Sequence, residues 1–291
     1  MYNPAMLTRH KMRMAALIGF TCCLFAAVAT AGDRAPTLLP PIEEPEVFAL
    51  GSVSLLGNAY RDGEVNLWPD GNRLIFSRFG PGIPDFTIFE SWLVDGAWTK
   101  PEPTRLFEDS LASEPGLAPD GRAIFFTPPT TGIHGTHDIY AIEESDAGWS
   151  EPRRLFRGLY PSLTCDRTIY YTAYVGWKDH IAYRRFVDGE YGPQQLIEAP
   201  VYSVYEDAHP CVAPDDSYVI FDSSRPRESA CYLFISFHND DGTWTEPVNM
   251  GSALGDLPAA LARISPDGEI LFFKANGEVY WIHTDALDAL R

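Results

Sequence analysis

Basic residues are scarce in this sequence. Lysine and arginine together number 22, against 40 aspartates and glutamates, and the formal net charge is −18. A surface this acidic repels the phosphates of nucleic acids and of anionic lipids. We therefore expect neither a nucleic acid nor an anionic membrane surface as a partner.

Long apolar runs are also lacking. One run, residues 14–28, follows three basic residues and precedes Ala29-Thr30-Ala31, an order typical of a secretory signal peptide and its small-residue cleavage site. The run is shorter than the roughly 20 apolar residues that a transmembrane helix needs. We predict a signal peptide over residues 1–31, an exported protein that is periplasmic or secreted, and no integral membrane segment after cleavage.

Cysteine is rare too. The chain has five, and Cys22 and Cys23 lie inside the predicted signal peptide. The other three, Cys165, Cys211 and Cys231, meet an oxidising compartment if the protein is exported. An odd number leaves at least one of them unpaired. Two interpretations stay open: a bridge between the last two, or small buried side chains.

The short motifs of common catalytic and cofactor sites are missing. The sequence has no P-loop, no Gly-x-Gly-x-x-Gly dinucleotide fingerprint and no Gly-x-Ser-x-Gly nucleophile elbow. We expect no cofactor, and we favour a protein without catalytic activity over an enzyme.

What the sequence does have is one turn made five times. Proline sets φ at the second position of a type I turn, and glycine supplies the positive φ that lets a hairpin continue. β-Branched and aromatic runs follow the turn, so each copy predicts two flanking strands. Successive copies begin about 50 residues apart, a period typical of propeller blades. The copies are Pro69-Asp70-Gly71, Pro119-Asp120-Gly121, Cys165-Asp166, Pro214-Asp215-Asp216 and Pro266-Asp267-Gly268.

Two copies depart from the pattern. Asp216 takes the glycine position of the fourth copy, and aspartate visits the left-handed region more easily than most residues. The third copy is one residue shorter, which predicts a tighter turn around Asp166-Arg167. We expect the hairpin to survive both changes.

A second motif closes each unit, as in Asp241-Gly242-Thr243-Trp244, and adds a last outer strand. A unit is then a blade of four antiparallel strands. The fifth unit stops one strand short after Trp281, and the segment 44–48 matches the missing outer strand. We predict an all-β fold, a five-bladed β-propeller closed by this N-terminal strand, with six blades as the alternative. The predicted organisation is a linker over 32–43, one propeller domain over 44–283 and a short C-terminal helix over 284–291.

Three of these motifs carry a family resemblance. The Ser265–Gly268 hairpin, the Asp138-Ile139-Tyr140 strand and the Gly242–Pro247 closure look like the WD-like β-propeller repeats of TolB-type proteins. The resemblance covers residues from about 44 to 282 and implies the propeller fold. Proteins resembling this one serve as periplasmic interaction modules and as gating propellers on peptidases. The resemblance is not specific for activity; our leading interpretation is a binding module, expected to be a monomer, that recognises a protein, peptide or glycan at one mouth of its central channel.

Candidate site residues precede the turns. The innermost strand of a blade runs into the turn, so residues five positions before the turn proline are expected near one mouth of the channel. These are Glu64, Glu114, Tyr160, His209 and Leu261. Glu114 is thereby assigned to a loop at the rim, so Glu114→Gln is expected to leave folding intact.

Two roles are possible for these residues and their neighbours. Glu64, Glu114 and Asp207 are the candidate catalytic carboxylates, because two carboxylates can act as acid and base or nucleophile in a carbohydrate hydrolase or lyase. Tyr160 and His209 are candidate ligand-binding residues. So is Arg263, which could hold an anionic sugar. Ordinary surface or structural roles are the alternative for each residue.

Two further constellations are weaker. His134, His137 and Asp138 could bind a metal if all three reached one point. Asp138, however, belongs to a repeated strand start, and we expect no metal. Arg61, Arg157 and Arg263 could form a sialidase-like carboxylate cluster, but the glycine-to-tryptophan spacing does not match a sialidase Asp box.

Overall fold

A computed structural model of the protein describes residues 43–55, 61–83, 87–107, 112–128 and 136–291. The predicted signal peptide, residues 1–31, lies outside the described residues. Short 3-10 helices run over Arg105–Phe107, Met250–Ser252 and Thr284–Leu290. The strands are, in chain order, β1 Glu46–Val47, β2 Arg61–Leu67, β3 Arg73–Phe79, β4 Thr87–Val94, β5 Ala97–Trp98, β6 Glu102–Pro103, β7 Ser113–Leu117, β8 Ala123–Thr127, β9 Asp138–Ser145, β10 Gly148–Trp149, β11 Arg153–Arg157, β12 Leu159–Leu163, β13 Ile169–Val175, β14 Lys178–Arg184, β15 Phe186–Val187, β16 Glu190–Tyr191, β17 Gln195–Leu196, β18 Asp207–Val212, β19 Tyr218–Ser223, β20 Leu233–Phe237, β21 Val248–Asn249, β22 Ala260–Ile264, β23 Ile270–Ala275 and β24 Glu278–His283.

The strands form five antiparallel blades, which confirms the predicted five-bladed propeller. From the channel outward the blades are β2-β3-β4-β5, β7-β8-β9-β10, β12-β13-β14-β17, β18-β19-β20-β21 and β22-β23-β24-β1. In the first two blades β6 and β11 also pair with the third strand. Consecutive strands pair because the turns between them are short. The described residues contain no helix long and apolar enough to cross a bilayer.

The N-terminal strand completes the fifth blade, as predicted. Glu46 pairs with Trp281 and Val47 with Tyr280. Phe48 then donates its N–H to the Val279 carbonyl at 2.8 Å, and its buried ring packs edge-on against a phenylalanine of β23. The strand covers the outer edge of the last blade, which would otherwise present unpaired backbone groups.

The five turns share one geometry. A left-handed residue occupies the third position of each, and in the fourth copy it is Asp216, with a φ of 65°. The third copy places Arg167 there, with a φ of 66°. The backbone hydrogen bond that flanks this turn runs from the Thr164 N–H to the Thr168 carbonyl, four residues on. In the fifth copy the Ser265 N–H donates to a carbonyl five positions on. The predicted shorter hairpin of the third copy is confirmed.

The core is divided among the gaps between neighbouring blades. Ile75 packs toward the second blade, while its neighbours Leu74 and Phe76 pack toward the fifth. Successive side chains of a strand point to opposite faces, so an unbroken apolar run serves two gaps at once. Each such side chain contributes roughly 1.5–3 kcal/mol by leaving water.

The packing between the fourth and fifth blades distinguishes the two interpretations of Cys211 and Cys231. Cys211 and Cys231 are both buried in its apolar cluster, and no disulfide joins them. The alternative of small buried side chains is therefore the one that the structure shows for this pair.

Candidate functional site

Each innermost strand carries a β-bulge near its start, and the bulge places one residue in the left-handed region. These are the five residues predicted to stand at one mouth, and we call them the bulge ring. A left-handed residue other than glycine costs roughly 1–2 kcal/mol, so five such residues mark a feature that the rest of the fold enforces. Their φ angles are 57° for Glu64, 53° for Glu114, 54° for Tyr160, 53° for His209 and 54° for Leu261.

The bulges explain why these side chains leave the sheet. The ladder between β2 and β3 pairs Gly63 with Ser77 and resumes only at Asn66, so the residues between them lack regular partners. The other four blades skip at the equivalent place. A bulge re-aims its side chain, and here five of them are re-aimed at the same level.

Neighbouring members of the bulge ring contact one another. Glu114 Oε2 accepts the N–H of Tyr160 at 3.1 Å, and the rings of Tyr160 and His209 lie 4.8 Å apart. Asp222 of β19 makes the equivalent contact between the fourth and fifth blades, because its Oδ1 accepts the N–H of Leu261 at 3.4 Å. The backbone turned out of the ladder by the bulge is thus held by the preceding blade.

Three groups of the ring have raised pKa values: Glu114, His209 and Tyr160, whose phenol pKa is raised by burial. Burial raises the pKa of Glu114 above its ordinary value, repulsion by Glu64 adds to the rise, and His209 opposes it. Burial acts to lower the pKa of His209, but the hydrogen bond and charge of Asp222 outweigh it, and Glu114 and Glu64 add to the rise. The ring therefore combines carboxylates with a histidine that holds its proton more tightly than in water.

His209 and Asp222 form a dyad that faces a cavity. The Nδ1 atom of His209 lies 2.5 Å from Asp222 Oδ2, which leaves Nε2 as the ring nitrogen not engaged by the described residues. Both residues line a cavity of about 610 Å³ together with Glu206, Arg227 and Tyr232. This cavity lies beside the start of β18, and its lining comes from the third, fourth and fifth blades.

The rim beside the mouth exposes apolar side chains. Trp177, at the tip of the β13–β14 hairpin, is 86% exposed, and Val204, in the loop before β18, is 74% exposed. Lys178 Nζ donates to the Val204 carbonyl and ties the two segments together. Exposed apolar side chains grouped in this way are typical of an interaction surface.

A second ring lies two residues further along each innermost strand. Its members are Asn66, Gly116, Ser162, Cys211 and Arg263. Asn66 Oδ1 accepts the N–H of Leu117, and Ser162 Oγ accepts the N–H of Val212, so this ring joins blades through side chains. Arg263 differs, because its guanidinium stacks on the Tyr160 ring at 3.6 Å and its Nε donates to the Pro115 carbonyl at 3.2 Å.

Asp207 and Glu114 have surroundings that the sequence did not show. Asp207 is buried, forms an ion pair with Arg225 and accepts a hydrogen bond from Ser223. Burial raises the pKa of Asp207, and Ser223 and Arg225 oppose the rise. Glu114 lies inside strand β7 and not in a loop.

The weaker constellations are dispersed. Asp138 forms an ion pair with Arg154, with Nε and Oδ2 2.8 Å apart, and His134 lies outside the described residues. Arg157 lies in β11 at the outside of the second blade, whereas Arg263 lies in β22, the innermost strand of the fifth blade. Across the described ranges no three His, Cys, Asp or Glu residues are grouped so that they could hold a metal ion.

Asp222 and Thr172 are the site residues that the sequence did not reveal. Both lie in second strands, opposite the start of the innermost strand, and Thr172 Oγ1 accepts the N–H of His209 at 2.8 Å. The one available signal is that each polar side chain interrupts or follows an apolar run, as Asp222 follows Val219-Ile220-Phe221.

Stability is expected to decrease as the pH rises through the raised pKa values of Glu114 and His209. Both shifts make the folded chain bind protons more tightly than the unfolded chain, so the free energy of unfolding falls with pH. The loss of stability begins as the pH rises above the ordinary pKa values, which are 4.5 for Glu114 and 6.5 for His209. We expect Glu114→Gln to fold, because its side-chain oxygen can still accept the Tyr160 N–H. Its free energy of unfolding is expected to fall less steeply over the pH range in which carboxyl groups titrate. Urea denaturation across pH measures this, and unchanged slopes in the variant would contradict it.

Comparisons with known proteins concern the fold. No protein-family model and no curated protein sequence matches the chain. TolB from Acinetobacter baumannii matches with 17% identity and a TM-score of 0.47, over 76% of this chain and 53% of TolB. A gluconolactonase from Xanthomonas campestris matches with 15% identity and a TM-score of 0.47, over 77% of this chain and 86% of that one. The β-propeller domain of Myceliophteria thermophila Cps50 matches with 10% identity and a TM-score of 0.41, over 76% of this chain and 64% of that one.

These similarities are similarities of architecture. The chain spans about half the length of the TolB structure that it matches. The assignment of a propeller rests on the five sheets described above, and at the level of fold the chain is similar to TolB-type and WD-like propellers.

Proposed function

We propose that the protein is an exported, monomeric binding module that recognises a protein, peptide or glycan at the mouth of the channel, without catalysis. The observation that carries the proposal is Glu64 Oε2, which is buried in the bulge ring and has no hydrogen-bond partner among the described residues. Buried polar atoms are nearly always paired, and an unpaired carboxylate oxygen costs free energy until a donor reaches it. A ligand that enters the mouth and donates a hydrogen bond supplies that partner.

The charges around the mouth favour a ligand group with hydrogen-bond donors or positive charge. Asp222, Glu206 and Asp179 line the cavity, and Arg227 is the arginine among its lining residues. The acidic net charge of the chain attracts cationic ligands over a longer range. Amines, amides and hydroxyl groups of a peptide or glycan fit this description.

The rim supports a ligand larger than the cavity. Trp177 and Tyr232 expose 86% and 45% of their surface, and aromatic side chains contribute strongly to the binding of peptides and sugars. A ligand that places a polar group in the mouth can cover these rings with its remaining surface.

Binding is tested with a glycan array and an immobilised peptide library, and retained probes are then titrated by calorimetry. Glu64→Gln is expected to weaken a retained probe by about tenfold or more, equal to 1.4 kcal/mol. Glu246→Gln, the same chemical change at an exposed outer position, is the matched control and is expected to change nothing. No retained probe, or equal affinities for both variants, would count against recognition at this mouth.

A carbohydrate-active hydrolase or lyase is the second candidate. The supporting observation is the raised pKa of Glu114 beside the carboxylate of Glu64, since glycosidases pair a protonated carboxylic acid with a carboxylate. Turnover of chromogenic glycosides or unsaturated products from polyuronates, reduced about a hundredfold or more in Glu114→Gln, would favour this candidate over binding alone.

A further inference from the structure

Arg263 carries a positive charge, and most of the N–H groups of its guanidinium form no hydrogen bond with the described residues. The residue is 3% exposed, its Nε donates to the Pro115 carbonyl, and both Nη1 and Nη2 are buried without a partner in the part of the chain that the structure describes. A buried charge is normally paired, because its removal from water is otherwise strongly unfavourable.

Other buried arginines of this chain show the usual solution. Arg78 donates to both oxygens of Asp62 at 2.7 Å, and Arg225 is paired with Asp207. Among the described residues no carboxylate forms an ion pair with Arg263. Its neighbour Tyr160 offers a ring face, and the Tyr160 hydroxyl already donates to a backbone carbonyl.

A small cavity adjoins the Arg263 guanidinium. Its volume is about 30 Å³, and it lies on the channel axis, since all five innermost strands contribute to its lining. A water molecule needs roughly 10–15 Å³ by the same measure, so the cavity admits one or two particles of that size. The turn residues Pro119, Pro214 and Pro266 also line it, which places its opening on the face opposite the mouth.

The polar side chains in the lining favour an anion. Ser162 Oγ accepts the N–H of Val212, so its own hydroxyl hydrogen is left to donate. The Asn66 amide is fully engaged with the Glu64 and Pro115 carbonyls and with Leu117 N–H. None of the described residues that line this cavity carries a carboxylate.

From this geometry we propose that the cavity binds one monatomic anion, a halide such as chloride, between the Arg263 guanidinium and the Ser162 hydroxyl. The anion neutralises the charge of Arg263 and completes its hydrogen bonds. Because the second ring is where the five blades meet, the bound anion stabilises the closed ring. The site is separate from the mouth and does not depend on what the mouth binds.

Thermal unfolding in sodium chloride and in sodium gluconate at equal ionic strength tests the site. A ligand that binds only the folded chain raises the midpoint with its concentration, here by roughly 3 °C per tenfold increase in chloride once the site fills. Arg263→Met keeps an apolar stem against Tyr160 and removes the charge, and we expect it to fold and to lose the chloride response. Arg153→Gln on the exposed outer strand is expected to keep it.

Bromide provides a second measurement that needs no variant. Crystals grown in sodium bromide are expected to show an anomalous peak in contact with the Arg263 Nη atoms. Equal midpoints in chloride and gluconate, an unchanged chloride response in Arg263→Met, or a cavity that holds water in the bromide crystals would each overturn the proposal.

Discussion

Replacement of Asp207 by alanine is expected to lower the free energy of unfolding by about 3–5 kcal/mol. Asp207 is 1% exposed and accepts hydrogen bonds from Arg225 and Ser223. Arg225 also donates to the carbonyls of Pro200 and Val201, so its guanidinium cannot turn to water without breaking the loop before β18. The variant leaves a buried positive charge unpaired, which is the most costly way to break an ion pair.

The Asp207 prediction is measured by chemical denaturation with two comparisons. Asp240→Ala, at an exposed turn position, is expected to change stability by less than about 0.5 kcal/mol. Asp207→Ala combined with Arg225→Met removes both charges and is expected to recover part of the loss, because no buried charge remains alone. A single variant as stable as the parent would contradict the structural role.

The same variant bears on catalysis. Asp207 is one of the three candidate catalytic carboxylates, and that assignment stays a prediction. Its carboxylate is paired with Arg225, whereas Glu64 and Glu114 are neighbouring members of the bulge ring whose charges repel. A loss of binding or turnover in Asp207→Ala is therefore interpretable only at a temperature where the variant is folded.

The fold could be predicted from the sequence because the turn is chemically distinctive. Proline begins four of the five turns, a left-handed residue stands in all five, and even Asp216 and Arg167 adopt the φ that glycine supplies elsewhere. The closing strand was also predictable, since a fifth unit that ends at β24 leaves an edge that only another segment of the chain can pair. Local chemistry and the need to cover edges were sufficient for the architecture.

The candidate site was predictable in position and not in conformation. Counting back from the turn located Glu64, Glu114 and His209, because the left-handed residue lies five positions before the first turn residue in every innermost strand. That these residues are left-handed follows from five bulges that arise where the strands converge, which no local pattern in Ser113–Leu117 indicates. For the same reason Glu114 was assigned to a loop, although it lies in β7.

Contacts between blades were the part that sequence could not provide. Asp222 reaches His209 within its own blade and Leu261 in the next one, and these residues are 13 and 39 positions away in the chain. Arg263 crosses to Pro115, 148 positions away. Such pairings depend on the rotation between blades, which is set by the packing in the gaps and not by any turn.

Gly116→Ala is expected to lower the free energy of unfolding by about 3 kcal/mol, near the upper end for overpacking. A Cβ atom at Gly116 would lie 2.3 Å from the Pro161 carbonyl oxygen and 3.0 Å from its carbonyl carbon. Both are backbone atoms of the next innermost strand, so no side chain can move aside. The strand itself is held by the bonds of Tyr160 N–H to Glu114 and of Ser162 to Val212.

Gly63→Ala is the matched control for Gly116→Ala, because Gly63 also lies in an innermost strand next to a bulge. A Cβ there would meet Lys274 Cδ at 3.7 Å and Leu261 Cδ1 at 3.9 Å, which are ordinary contacts with side chains. Gly63→Ala is therefore expected to stay within about 1 kcal/mol of the parent, with alanine's smaller loss of chain entropy acting in its favour. Equal effects of the two variants in urea denaturation would show that the cost comes from strand glycine in general. A loss confined to Gly116→Ala would show that the close approach of the second and third innermost strands depends on the absence of a side chain at this position.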